Sequence, residues 1–207
     1  RIRKARSMKI FKEFFEDQEQ RVETVAVWPG GFKPPTKGHF AALEYLMQDA
    51  DRGIVFIGRG RKGKGRLNRE FITPEMAKSI WEIYSKYIGK PIDVIVSSRL
   101  GPVKDTYDFA DNNKDIKIIV GVGAKDNPSR YDSFTNNVEK YPLVNVVQIP
   151  MQEKDEGTPE GGEGNYISGT KVGELFKADR FEEAIDYFVP DISIEDKEDI
   201  EEILRSN

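Results

Sequence analysis

Five short runs of apolar and β-branched residues alternate along the chain with segments whose apolar residues recur at helical spacing. The runs cover residues 22–28, 53–58, 91–96, 116–122 and 143–149. Each is a nearly continuous apolar stretch, which is typical of a strand buried on both faces of a parallel sheet. The pattern therefore predicts an α/β fold: a five-stranded parallel sheet with helices on both faces.

The segments between and after these runs predict the helices. The clearest covers residues 73–87, where Thr73 is a good N-cap and Pro74 suits the first helical position. Its apolar face contains Met76, Ile80, Ile83, Tyr84 and Tyr87. The other predicted helices cover residues 8–16, 38–49, 104–110, 130–141, 180–189 and 194–204. This suggests a helical extension at 1–20, a main domain at 21–190 and a C-terminal helix at 191–207.

The loop after the first run contains the most informative residues. Gly30 and Gly31 leave no side chain in the way of a ligand, and Pro34 and Pro35 delay the helix until the turn is made. The helix then begins at Gly38, and a helix N-terminus in such a place is an anion site. The chain has one histidine. It is His39, in the first turn of this helix, where capping alone would also explain it.

Residues 31–39 read Gly-Phe-Lys-Pro-Pro-Thr-Lys-Gly-His. The final four resemble the (H/T)-x-G-H signature of the nucleotidyltransferase superfamily, in its threonine version. That group includes cytidylyltransferases, nicotinamide-nucleotide adenylyltransferases and phosphopantetheine adenylyltransferase. The resemblance implies a Rossmann-like fold of the nucleotidyltransferase type. It also implies catalytic roles for His39, Thr36 and Lys33, with His39 on the α-phosphate, and nucleotide contacts from Gly30, Gly31, Phe32 and Gly38.

A second stretch, Ile167-Ser168-Gly-Thr170-Lys171-Val, resembles the superfamily's Ile-Ser-x-Thr-x-(Ile/Val)-Arg signature. Ser168 and Thr170 are in any case placed to cap a helix that buries Val172, Leu175 and Phe176. The resemblance adds nucleotide contacts from Ile167, Ser168, Thr170 and Lys171, with the hydroxyls on the β- and γ-phosphates. Gly173 stands where many members have a phosphate-binding arginine, and Lys171 or the basic loop at 59–66 could replace it.

Two further loops follow predicted strands. Gly121, Gly123 and Asp126 resemble the family's glycine-rich turn beside the base and ribose, although Asp126 also suits an ordinary turn. Residues 58–66 form a basic, glycine-rich run. It suggests a cationic lid over polyphosphate, and a solvated loop or a nucleic-acid patch are the alternatives. Its candidate phosphate contacts, with Lys37 of the first loop, are Arg59, Arg61 and Lys62.

Composition narrows the chemistry. Hydrophobic residues make up 38% of the chain and charged residues 33%, with a net charge of −4, which describes a polar, soluble protein. The absence of cysteine excludes disulfides and thiolate nucleophiles, and the single histidine excludes a multi-histidine zinc site. No apolar run reaches the roughly 20 residues of a membrane helix, and no secretory signal is evident. We therefore expect a cytoplasmic protein without a membrane partner.

The expected function is nucleotidyl transfer from a nucleoside triphosphate, ATP or CTP, to a phosphate-bearing small molecule, with release of pyrophosphate. By this resemblance Mg²⁺ would be carried by the triphosphate. The alternatives are a catalytically silent nucleotide-binding module, suggested by Gly173, and a nucleic-acid-binding protein that uses the basic loop. Homo-oligomerisation is left open.

Overall fold

The computed structural model describes residues 21–60, 72–123, 126–149 and 169–206. Gly169 and Thr170 are described only as part of a helix, without the surroundings of their side chains. The helix predicted at 8–16 lies outside the described residues. So do the basic run beyond Gly60 and the residues Ile167 and Ser168.

The five predicted strands are present. Their bounds are Thr24–Gly30 (β1), Arg52–Ile57 (β2), Ile92–Val96 (β3), Lys117–Val122 (β4) and Val144–Gln148 (β5). They form one sheet in the order β3-β2-β1-β4-β5, and every neighbouring pair is parallel. The prediction of a Rossmann-like, five-stranded parallel sheet is confirmed.

Helices follow the strands in the expected places. Their bounds are Lys37–Met47 (α1), Pro74–Ser85 (α2), Pro102–Asn112 (α3), Asp132–Asn136 (α4), Gly169–Lys177 (α5), Phe181–Phe188 (α6) and Ile194–Arg205 (α7). Thr73 caps α2 as predicted, since its hydroxyl accepts from the Met76 amide at 3.1 Å. None of the helices in the described residues is long and apolar enough to cross a membrane.

Each face of the sheet carries its own hydrophobic core. Ala26 and Trp28 of β1 point to the face covered by α1 and α2, and this core extends to α5, α6 and α7. Val25 and Val27 point to the opposite face, which is covered by α3 and α4. The alternation follows from the two-residue period of a strand. It explains why β1 reads as an unbroken apolar run.

The predicted helix at 130–141 is wrong in extent. A short 3₁₀ turn covers Pro128–Tyr131, and α4 adds only five residues before the chain turns. The side-chain amide of Asn137 donates through Nδ2 to the Ser133 carbonyl at 3.0 Å, which satisfies a carbonyl at the helix end. The chain then turns back so that Tyr141 packs edge-on against Phe134, at 4.8 Å between ring centroids. Aromatic packing on the sheet therefore overrides the local helical pattern.

The C-terminal helix is fastened to α2. Asp196 of α7 is buried and accepts from Lys86 at 2.6 Å, from the Tyr87 hydroxyl, and from Ser193 at 3.1 Å. These bonds lower the pKa of Asp196, the one from Lys86 most of all. Tyr87, predicted on the apolar face of the helix, lies beyond the end of α2 and is 38% exposed. Its hydroxyl serves this attachment.

Asp111, at the end of α3, gives the folded state a dependence on pH. Hydrogen bonds from Lys114 and Lys140, at 2.9 and 3.0 Å, lower the pKa of its carboxyl from 3.8 to about 2. A carboxyl with a lowered pKa stabilises the fold fully above its unfolded pKa, and this stabilisation is lost as the pH falls. We expect Asp111→Asn to lower the free energy of unfolding at neutral pH. The difference from the parent protein should shrink as the pH falls from 3.8 toward 2, in urea titrations across that range.

Asp108→Asn, one turn earlier in α3, controls for the loss of a surface carboxylate. A difference between the Asp111→Asn variant and the parent that does not change with pH would contradict the assignment.

Candidate functional site

The strand order creates a switch point between β1 and β4. The chain passes from β1 to β2 and β3 on one side, then returns to β4 on the other. In register, Val27 of β1 lies opposite Val120 of β4, and Gly30 lies opposite Ile57 of β2. The loops after β1, β2 and β4 therefore leave the same edge of the sheet. In open α/β sheets this is where ligands bind.

His39 lies in the first turn of α1, directly after the loop that leaves β1. The backbone N–H of Thr36 donates to its Nδ1 at 3.1 Å, and Thr36 Oγ1 lies 2.9 Å from the same nitrogen. Because Nδ1 accepts a hydrogen bond from the Thr36 backbone N–H, the neutral ring carries its own proton on Nε2. The contact with the Thr36 N–H therefore favours the tautomer with the proton on Nε2, in which Nε2–H is the donor.

Thr36 is buried, and the contact seen in the structure joins its hydroxyl to His39. Thr36 is also the residue before α1, with an extended backbone, and its carbonyl accepts the first helical bond from Phe40 at 2.9 Å. It thus fixes the start of the helix and the position of the imidazole together.

Phe32 supports the imidazole with an apolar ring. Its centroid lies 5.1 Å from that of His39 with the planes at 84°, and 5.3 Å from that of Trp81 at 82°. These edge-to-face arrangements are favourable for aromatic pairs. Phe32 is only 3% exposed, so its ring lies beneath the histidine.

Gly30 serves this packing. A Cβ built on Gly30 would lie 2.6 Å from the Phe32 ring, closer than real contacts allow. Gly31 has no atom within 4 Å of such a Cβ and is exposed, so the backbone there is accessible from outside. Of the two glycines, Gly31 is the one that leaves room for a ligand to approach the backbone, as the sequence predicted for both.

Gly121 has a similar packing role on β4. A Cβ there would lie 2.4 Å from Leu46 and 2.7 Å from the Trp28 ring. Trp28 also reaches Gly123 on one side and Phe32 on the other, at 5.8 Å between its ring centroid and that of Phe32. Trp28 was not among the site residues predicted from the sequence. The feature that could have identified it is an aromatic residue at the end of β1, immediately before the glycine-rich loop.

Asp126 lies at the turn that follows β4. Its N–H donates to the Gly123 carbonyl at 2.9 Å, and its carboxylate lies 2.9 Å from where a Gly123 Cβ would be. Arg130 lies 3.7 Å from the same carboxylate, and both side chains are exposed. The turn interpretation of Asp126 therefore holds. An exposed carboxylate at the switch point can also accept from a ligand.

Two of the predicted cations meet at the neighbouring strand ends. Lys33 Nζ donates to the Arg59 carbonyl at 3.0 Å, and Arg59 Nε donates to the Ser97 carbonyl at 2.8 Å. Glu75 in the first turn of α2 lies 3.8 Å from the Arg59 guanidinium. This chain of contacts joins the ends of β1, β2 and β3.

The remaining predicted residues are placed as follows. Lys37 and Gly38 are exposed in the first turn of α1. Lys171 of α5 places its ammonium 4.6 Å from the centre of the Tyr187 ring, and Gly173 is buried. Val172 of α5 and Phe32 belong to the same core. Arg61, Lys62, Ile167 and Ser168 lie outside the described residues, as does the side chain of Thr170.

No protein-family model matches the chain, and no curated protein matches it either. Solved structures do show likenesses. A Plasmodium falciparum nicotinic acid mononucleotide adenylyltransferase complexed with NaAD is 13% identical over 63% of this chain and 77% of that one, with a TM-score of 0.39. A Francisella tularensis bifunctional NMN adenylyltransferase/ADP ribose pyrophosphatase, complexed with AMP and a manganese ion, is 15% identical with a TM-score of 0.46.

The match to the Francisella tularensis protein covers 76% of this chain and 42% of that one. Thermotoga maritima TmcAL bound with α-thio ATP is 14% identical over 89% of this chain and 55% of that one, with a TM-score of 0.47. Because these TM-scores are below 0.5, we base the functional proposal on this chain's own residues.

Proposed function

We propose that this protein is a nucleotidyltransferase that moves a nucleoside monophosphate from a nucleoside triphosphate to a phosphate-bearing small molecule. The observation that carries the proposal is the placement of His39. Its imidazole lies in the first turn of α1, at the switch-point edge of the sheet, with Nδ1 bonded to the Thr36 backbone. The resemblance of Thr36–His39 to the nucleotidyltransferase signature supports the same role.

The α-phosphate would bind at the start of α1. The N–H groups of the first turn and the helix dipole favour an anion there. His39 Nε2–H would donate to an α-phosphate oxygen, where negative charge increases in the transition state. Gly31 and Gly38 let the backbone approach the phosphates, and Lys37 adds a positive charge at the same helix end.

The acceptor phosphate would attack the α-phosphorus in line. A new bond forms between an acceptor phosphate oxygen and the α-phosphorus. The bond from the α-phosphorus to the bridging oxygen breaks, and pyrophosphate leaves with that electron pair. No protein nucleophile is needed, so the residues act by positioning the groups and balancing their charge.

The β- and γ-phosphates would be held by Ser168 and Thr170 at the start of α5, with Ile167 and Lys171 beside them. Gly173 cannot supply the arginine of the family signature, and Lys171 faces Tyr187. The contact between Lys33 and Arg59 favours the loops after β1 and β2 as the replacement. We assign Lys33 to this role, together with Arg59 and the adjoining Arg61 and Lys62.

The base and ribose would lie over Gly123 and Asp126, at the end of β4, while Gly121 makes room for Leu46 and Trp28. Asp126 would accept from a ribose hydroxyl or a base amine. The nucleotide would be ATP or CTP, and both carry ribose hydroxyls and a base amine.

The divalent cation would be carried by the triphosphate. Mg²⁺ keeps several waters and commonly binds substrate phosphates. It would neutralise phosphate charge while the residues named above orient the triphosphate.

A matrix of the four nucleoside triphosphates against candidate acceptors, read by pyrophosphate release, tests the proposal. The acceptors are nicotinamide mononucleotide, phosphopantetheine, a polyol phosphate and a sugar phosphate, each with Mg²⁺. We expect ATP or CTP to release pyrophosphate with one of them. Triphosphate binding in calorimetry without release for any pair would instead identify a silent binding module. Salt-dependent DNA or RNA binding that survives loss of His39 would favour the nucleic-acid alternative.

A further inference from the structure

The peptide group between Pro35 and Thr36 is hydrogen-bonded on both sides. Its N–H donates to His39 Nδ1 at 3.1 Å, and its carbonyl accepts from the Tyr84 hydroxyl at 3.3 Å. We propose that Tyr84 is a positioning residue that fixes the tautomer and orientation of His39 through this peptide group. The consequence for catalysis rests on the proposed function, whereas the effect on the imidazole does not.

Tyr84 is held firmly enough to act in this way. It is fully buried in α2, with Phe40 and Trp81 packed edge-on at centroid distances of 5.7 and 5.6 Å. Burial raises the pKa of its phenol well above 10, so the hydroxyl stays protonated and remains a donor. The direction of the bond to Pro35 is thereby fixed.

A peptide group is planar, so fixing its carbonyl also fixes its N–H. With the Pro35 carbonyl held by Tyr84, the Thr36 N–H stays directed at His39 Nδ1. The other tautomer would place an N–H on Nδ1 against that donor, which is unfavourable. The relay therefore keeps the imidazole proton on Nε2, the nitrogen that the proposed reaction uses as donor.

The single histidine makes this relay directly measurable. A ¹⁵N-labelled sample gives one imidazole signal set, which is recorded at a pH where the ring is neutral. In the parent protein we expect an unprotonated Nδ1, a protonated Nε2 and a coupling across the hydrogen bond between Nδ1 and the Thr36 amide nitrogen. A protonated Nδ1 would overturn the proposal.

Tyr84→Phe tests the role of the hydroxyl. We expect the two ring nitrogen shifts to move toward each other as the tautomers mix, and the coupling to Thr36 to weaken. Turnover should fall about 10-fold with little change in KM, by analogy with residues that orient a ligand histidine. Imidazole shifts identical to those of the parent would overturn the proposal, whatever happens to turnover.

Tyr87→Phe is the matched control. It removes a hydroxyl near the end of the same helix, which donates to Asp196 and accepts from the Ser193 N–H. It should leave the imidazole shifts and the turnover unchanged, and a shift change equal to that of Tyr84→Phe would contradict a specific relay. If the Tyr84→Phe variant does not fold, the relay is tested in the parent protein. Its Tyr84 hydroxyl must give a slowly exchanging proton signal that correlates with the Pro35 carbonyl carbon.

The two proposals fail separately. If no triphosphate and acceptor pair releases pyrophosphate, the proposed function fails, and the nitrogen shifts still report the relay. If pyrophosphate is released but the shifts do not respond to Tyr84→Phe, the relay fails and the function stands.

Discussion

Replacing His39 by alanine is expected to lower turnover by about 10²-fold or more, the scale for removing one donor to a charge that develops in the transition state. Nε2–H is the ring donor because Nδ1 already accepts from the Thr36 backbone. The first-turn N–H groups would still bind the triphosphate in the variant. KM should therefore change much less than kcat. Pyrophosphate release with the best substrate pair gives both quantities.

Tyr45→Ala is the matched control for this variant. Tyr45 lies on the same helix and is 43% exposed, so its loss removes a ring without disturbing the imidazole. It should leave turnover unchanged. Full turnover in the His39→Ala variant would show that His39 takes no part in the reaction. The proposed function would then lose the observation on which it depends.

Replacing Phe32 by alanine is expected to lower the free energy of unfolding by about 3–5 kcal/mol, the usual range for removing a buried aromatic ring. This is a large part of the roughly 5–15 kcal/mol that stabilises a typical domain. The ring lies between Trp28, His39 and Trp81, so its removal leaves a cavity beneath the histidine. The backbone at Phe32 has a φ of 41°, uncommon for any residue except glycine, and alanine would keep that cost.

The same variant distinguishes two roles for Phe32. The resemblance implied a nucleotide contact, for which KM should rise. The buried ring observed here predicts instead that kcat falls for the folded protein while KM changes little. Urea unfolding and steady-state kinetics measure the two effects.

Phe134→Ala serves as the comparison for Phe32→Ala, because Phe134 is equally buried but packs on the opposite face of the sheet. It should destabilise the protein without lowering kcat. Equal kinetic losses in both variants would mean that instability alone explains the effect of Phe32→Ala.

Local patterns were sufficient to predict the strands and most helices. Each strand lies in a largely apolar run of the right length, and Thr73-Pro74 marks the start of α2 by capping chemistry that involves only nearby residues. The same reasoning failed at 130–141, where Tyr131, Phe134 and Tyr141 pack together on the sheet. Nothing local at those positions shows which surface the rings will meet.

The glycines illustrate the limit of motif reading. In the sequence, Gly30, Gly31 and Gly121 are equivalent candidates for close approach to a ligand. In the structure, Gly30 and Gly121 make room for the side chains of Phe32, Trp28 and Leu46, and Gly31 alone of the three has open space. A glycine in the sequence indicates that space is needed at that position. It does not indicate whether a ligand or a side chain of the protein fills that space.

The sequence by itself determined the alternation of strands and helices and the position of His39 in a helix's first turn, because both depend on residues close together in the chain. Only the tertiary structure decided the strand order, the contact of Lys33 with Arg59, and the bond from Tyr84 to a carbonyl 49 residues earlier. Periodicity shows which side of an element is buried. Which partner covers it is set by packing between distant segments.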